Sequence, residues 1–153
     1  MNMSEFLLRF QMWATQDNFS SLKKRYLFFS GIVMYGLAFI IFLITHPFNL
    51  LSNLGAIETV RMSILLGLFS SLISVGFVYI CRSVGIYNLY LCMLLLGVIA
   101  NLLPMVSDWQ SYVRAGIVRS SLDIASIFAC VVAIAWLSLR LQHLFSRKPV
   151  NGA

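Results

Sequence analysis

Acidic residues are scarce in this chain, with five Asp and Glu against eleven Lys and Arg among 153 residues. General acid–base chemistry, hard-cation sites and intramembrane proton relays all draw on carboxylates, and few are on hand. Histidine is scarcer still. His46 follows the first apolar run and His143 the last, on opposite sides of a membrane, so they cannot ligate one haem or one metal ion. Cys81, Cys92 and Cys130 all lie inside apolar runs and form no Cys-x-x-Cys pair, which argues against a zinc site and against a disulfide-exchange motif. They are expected to be packing residues. Three prolines and nine glycines leave no low-complexity segment, and no repeat with a period of roughly 20 to 50 residues recurs. No Gly-rich phosphate loop or serine-nucleophile elbow occurs. The expectation is a chain without catalytic residues, metal or cofactor.

Apolar side chains are abundant. The chain is 60% hydrophobic and 10% charged, with a mean hydropathy of +0.89; soluble domains sit near roughly 45–50% and about 25%. Four runs approach the roughly 20 apolar residues a spanning helix needs: Leu27–Thr45, Met62–Cys81, Tyr87–Val106 and Ser121–Leu139. The predicted fold is therefore all-α, a polytopic membrane protein with four transmembrane helices. Its organisation is a cytoplasmic amphipathic segment (1–25), a four-helix transmembrane domain (26–145) and a cytoplasmic tail (146–153). HPFNLLSNLGAIETVR, from His46 to Arg61, is expected to run along the outer interface. RSVGI, with Gly85, is a tight turn that makes the second and third spans antiparallel neighbours.

The charge is unevenly placed. With the N-terminus inside, Arg9, Lys23, Lys24, Arg25, Arg82, Arg140, Arg147 and Lys148 are cytoplasmic, and Arg61, Arg114 and Arg119 are outside. Both termini are then cytoplasmic, in what is expected to be a bacterial inner (plasma) membrane. The net charge of +6 is largely this bias. It points to contact with anionic headgroups and not to nucleic acid, for which there is no basic domain outside the membrane.

Ahead of the first run, Phe6, Leu7, Phe10, Trp13 and Ala14 share one helical face, with Glu5, Arg9, Thr15 and Gln16 away from it. Arg9 interrupts the apolar part and no small-residue cleavage site follows, so this is not expected to be a signal peptide. An N-terminal amphipathic interfacial helix capped by Ser4 is predicted. Phe6, Phe10, Trp13, Lys23, Lys24 and Arg25 are its candidate contacts with lipid or with a cytosolic protein partner.

Asp123 is the acid nearest membrane depth. Ser120-Ser121-Leu122-Asp123 matches a capping box, which would make the carboxylate a helix start, neutralised by Arg119. The other reading places it in an outer polar pocket with Asn101, Arg61, Arg114 and Arg119, opened where Pro104 removes a helix bond to Ala100. Trp109, Tyr112, Val113, Gly116 and Ile117 form an amphipathic lead-in to the last span.

Two ridges of small residues, Ser63, Gly67, Ser70 and Ser74, and Ser121, Ala125, Ala129 and Ala133, recur at helical spacing. Small side chains let helices approach closely in lipid, so both ridges are expected to pack helices, within one chain or between protomers. The function that fits is a small non-catalytic membrane subunit, an anchor, scaffold or sensor. It would form a homo-oligomer or assemble with other membrane subunits. The alternative is a channel or transporter component with a pore shared among protomers. Against it, the central turns hold only Ser70, Ser71, Ser74 and Cys130 as polar atoms.

Overall fold

The computed structural model describes residues 2–18, 22–45, 55–107, 110 and 117–146. Among them the regular elements are helices: α1 (Met3–Ala14), α2 (Lys24–Thr45), α3 (Ala56–Ser83), α4 (Leu89–Ser107) and α5 (Ile117–Ser146). Three of these, α2, α3 and α5, are long and apolar enough to cross a membrane, and α4 carries a shorter apolar stretch, Leu89–Leu103. Large apolar side chains such as Phe29, Leu37, Ile41, Phe69, Leu72 and Leu103 point outward. In water such a surface would aggregate; against lipid it costs nothing.

Helix α2 packs against α3 and α5, and α4 packs against α5 and α3. The start of α2, the end of α3, the start of α4 and the end of α5 meet at one end, which carries Lys24, Arg82 and Arg140. We call it the basic end. Lys24 lies there 4.5 Å from the centre of the Tyr79 ring. The backbone N–H of Lys23 donates to Gln142 Oε1 at 2.9 Å, tying the entry of α2 to the exit of α5.

The α2–α3 seam is built on backbone contact. Ser63, Gly67, Ser71, Ser74, Val78 and Cys81 are buried along α3. A β-carbon on Gly67 would stand 2.9 Å from the Ile32 carbonyl oxygen, and one on Gly31 would stand 2.5 Å from Ser71 Oγ. The predicted α3 ridge is therefore an internal surface, with Ser71 in place of the half-buried Ser70 at its centre. The serines survive burial by donating back along their own helices: Ser63 to the Thr59 carbonyl at 2.8 Å, Ser71 to Gly67 at 2.6 Å and Ser74 to Ser70 at 2.9 Å. Tyr35 Oη meets Ser74 Oγ at 2.7 Å across the seam. On α5 the ridge behaves differently. Ala125 and Ala129 are exposed and Ala133 half-buried, so this stripe faces away from the bundle.

The apolar core lies toward the basic end, where Leu27, Val78, Cys81, Leu89, Cys92, Met93, Leu96, Val131, Ile134 and Ala135 form one cluster. The short turn beneath it is the expected one. Gly85, at φ +89°, ends α3 in a conformation that L side chains rarely adopt. Its N–H donates to the Arg82 carbonyl at 3.0 Å and that of Ile86 to Cys81 at 2.9 Å, which closes a Schellman motif.

Three local expectations are corrected. Helix α3 begins at Ala56, inside the stretch read as an outer connection; from Ala56 onward no proline or glycine interrupts it until Gly67, so nothing stops the helix. The rest of that connection, His46 to Leu54, lies outside the described residues. Helix α1 starts at Met3 after Asn2, which makes no side-chain cap bond, so Ser4 lies within the helix and caps nothing. Helix α5 runs from Ile117, so Ser120 and Asp123 are interior positions and its first turn holds no acid. An N-cap needs non-helical backbone, and Ser120 does not have it.

Candidate functional site at the basic end

Helix α4 starts at Leu89, and its first amides must find partners outside the helix. Asn88 supplies two of them. Its Oδ1 accepts from the Tyr90 N–H at 3.0 Å and from the Leu91 N–H at 3.3 Å, and its carbonyl accepts from the Cys92 N–H at 3.0 Å. The Leu89 N–H donates at 2.8 Å to Oδ1 of Asn18, seventy-one residues away in sequence. The other half of the Asn88 amide reaches out of the bundle, as Nδ2 donates at 2.6 Å to the Trp13 carbonyl. That carbonyl belongs to the last turn of α1, where acceptors have no donor further along the helix, and it also accepts from the Gln16 N–H at 3.2 Å. One fully buried side chain thus caps α4 and holds the end of α1.

Helix α1 is fastened at this end by the Asn88 bond, and the rest of it stays exposed among the described residues. No residue of it is buried. Phe6 and Phe10 are each 49% exposed, Leu7 and Met12 more so. Trp13 is half-buried at the tether, its ring 5.9 Å from that of Phe10. The structure therefore places Phe6, Phe10 and Trp13 on an accessible helix at the same end as Lys23, Lys24 and Arg25.

The outer polar pocket fares otherwise. Arg61 is exposed and reaches Glu58, one turn earlier, at 4.0 Å. Asn101 is buried, its Nδ2 donating to the Gly97 carbonyl at 2.8 Å. Its Oδ1 has no hydrogen-bond partner among the described residues. Arg61 and Asn101 thus sit in different environments. Asp123 is half-buried, and its carbonyl accepts from Ser126 Oγ at 2.7 Å. Arg114 lies outside the described residues, and of Arg119 the helical backbone alone is described.

Sequence reading missed Asn88 and Asn18. The signal for Asn88 was present, a cap-forming residue directly before an apolar run, but its bond to Trp13 joins positions 75 apart. Comparison of the chain with known protein families, with curated proteins and with solved structures finds no match.

Proposed function

We propose that this protein is a small non-catalytic membrane subunit of four spans that assembles with copies of itself or with other membrane subunits and presents α1 to a cytosolic partner. The observation that carries the reading is the one-ended tether: Asn88 fixes the last turn of α1 while the apolar side chains of α1 stay accessible. Such a helix lies along the headgroup boundary, apolar face down, or docks in a partner's groove. The exposed Ala125 and Ala129 of α5 support a contact between protomers. Helix α4 serves as the fourth span. Its 19 residues extend about 28 Å at roughly 1.5 Å per residue, close to the roughly 30 Å hydrocarbon thickness.

Native mass spectrometry in several mild detergents and in nanodiscs tests the assembly. An oligomer or a stoichiometric protein partner is expected, and Phe6→Asp with Phe10→Asp should remove a cytosolic partner while leaving the oligomer. A monomer that binds nothing under all these conditions overturns the proposal.

The basic end faces the cytoplasm of a bacterial inner membrane in this reading, and both termini with it, because counting along the sequence assigns eight of the eleven Lys and Arg to the segments on that side of the spans. In intact cells an impermeant thiol reagent is expected to label Glu58→Cys and to leave Met3→Cys untouched. The reverse pattern would invert the topology.

A further inference from the structure

Between α2 and α5 at the basic end a groove of about 430 Å³ is lined by Arg25, Tyr26, Phe29, Leu141 and Phe145. Its size falls within the roughly 300–1,000 Å³ of small-molecule sites. The walls are apolar and the only charge in the lining is cationic. Tyr26 is buried and stacks on Phe145 with ring centres 6.1 Å apart and planes 8° from parallel. Phe29 and Phe145 are themselves 59% and 71% exposed, so the groove opens sideways along the bundle surface.

Arg25 is held at the mouth of the groove. One guanidinium nitrogen donates to Tyr26 Oη at 2.9 Å, and the guanidinium carbon lies 4.9 Å from the Tyr26 ring centre. The planar fork keeps further N–H donors for a ligand, and Tyr26 Oη, already accepting, keeps its own hydrogen to donate. A fixed cation and a hydroxyl donor above an apolar trough, on the flank of helices apolar enough to span a membrane, match the chemistry of a phosphate joined to an acyl chain.

We propose that this groove is a binding site for an anionic glycerophospholipid, its phosphate on Arg25 and Tyr26 Oη and one acyl chain along Phe29, Leu141 and Phe145. The proposal rests on the reading that the basic end faces the leaflet rich in anionic lipid. Lys24 stands apart from the site, since its ammonium lies over Tyr79 on the α3 side. It therefore separates a built site from a diffuse basic surface.

The test is native mass spectrometry of the full chain in detergent, with phosphatidylglycerol and phosphatidylcholine of identical acyl chains added in competition. Wild type should retain phosphatidylglycerol preferentially. Arg25→Gln should lower that preference roughly fivefold, the size expected of one basic side chain at an anionic headgroup, while Lys24→Gln leaves it unchanged. Phe145→Ala, at an exposed side chain, should lower retention of both lipids alike, and it reads the groove even if Arg25→Gln does not accumulate. Equal effects of Arg25→Gln and Lys24→Gln, no lipid preference in wild type, or a Phe145→Ala variant that keeps its lipid but loses its oligomer would overturn the proposal. The last outcome would seat a second protomer in the groove. Because the assay is run in detergent, it does not depend on orientation, so a reversed labelling pattern and a failed lipid site remain distinguishable.

Discussion

Gly67→Leu is expected to destabilise the monomer itself, lowering its thermal stability and its accumulation together, without selectively shifting oligomer size. The seam between α2 and α3 leaves no room for a side chain at this position. Even a β-carbon would stand 2.9 Å from the Ile32 carbonyl oxygen, a backbone atom that moves only if the whole helix moves. Overpacking of a well-packed interior typically costs roughly 1 to 3 kcal/mol, occasionally more, and a contact against backbone belongs at the upper end. Gly31→Ala addresses the same seam from the other helix, against Ser71 Oγ at 2.5 Å and its Cβ at 3.0 Å. There the obstruction is a side chain, so Ser71→Gly should recover part of the loss, and the non-additivity of the double variant measures the contact. Ala129→Leu is the contrasting change. Position 129 is exposed, so the monomer should tolerate it, and a smaller oligomer in native mass spectrometry would mark α5 as the protomer contact. A Gly67→Leu variant that folds as well as wild type would show that α2 and α3 do not approach each other through Gly67.

Asn88→Ala is expected to loosen two helices at once. It removes the acceptor of the Tyr90 and Leu91 amides and the donor to the Trp13 carbonyl, all around a side chain with 0% exposure. Loss of an N-cap costs roughly 0.5–2 kcal/mol, and loss of the bond to the Trp13 carbonyl, which keeps the Gln16 N–H as a donor at 3.2 Å, adds about 0.5–1.5 kcal/mol. Asn88→Ser separates the two roles. Serine is a comparable N-cap, but its hydroxyl is too short to replace the amide arm. The bundle should then keep most of its thermal stability while α1 is released. Faster tryptic cleavage after Arg9 and faster amide exchange across Met3–Ala14 are the expected readouts, with exchange in α4 little changed. If Asn88→Ser frees nothing, α1 is held by something other than the Trp13 bond.

These two residues show where reading along the chain stops. That an apolar helix occupies most of Met62–Cys81 follows from composition, since a continuous run of that length without charge has few other solutions. Which of its serines face a neighbour does not follow. A spacing of threes and fours fits Ser70 and Ser71 about equally well, and only the approach of α2, with Gly31 set against Ser71, selects the second. The two small-residue ridges looked alike as strings and part company in the fold, one buried under α2, the other facing outward on α5. Asp123 failed as a cap for a related reason. A capping box is a local pattern, and a helix that already runs from Ile117 makes the pattern irrelevant.

By itself the sequence determined the solvent and the class of fold. Hydropathy decides whether a segment sits in lipid, and a backbone there must satisfy its hydrogen bonds in a helix or a closed barrel, of which continuous apolar runs of about 20 residues fit the helix. It also determined the turn at Gly85, because one residue type tolerates φ near +89° there, and the concentration of cationic residues at one end. Tertiary structure alone decided the pairing of α2 with α3 through glycine, the groove between α2 and α5, and the tether of α1 at Asn88. Each is a contact between residues tens of positions apart. In lipid, no hydrophobic drive selects such partners, so the choice rests on which backbones fit together and which buried polar atoms find one another.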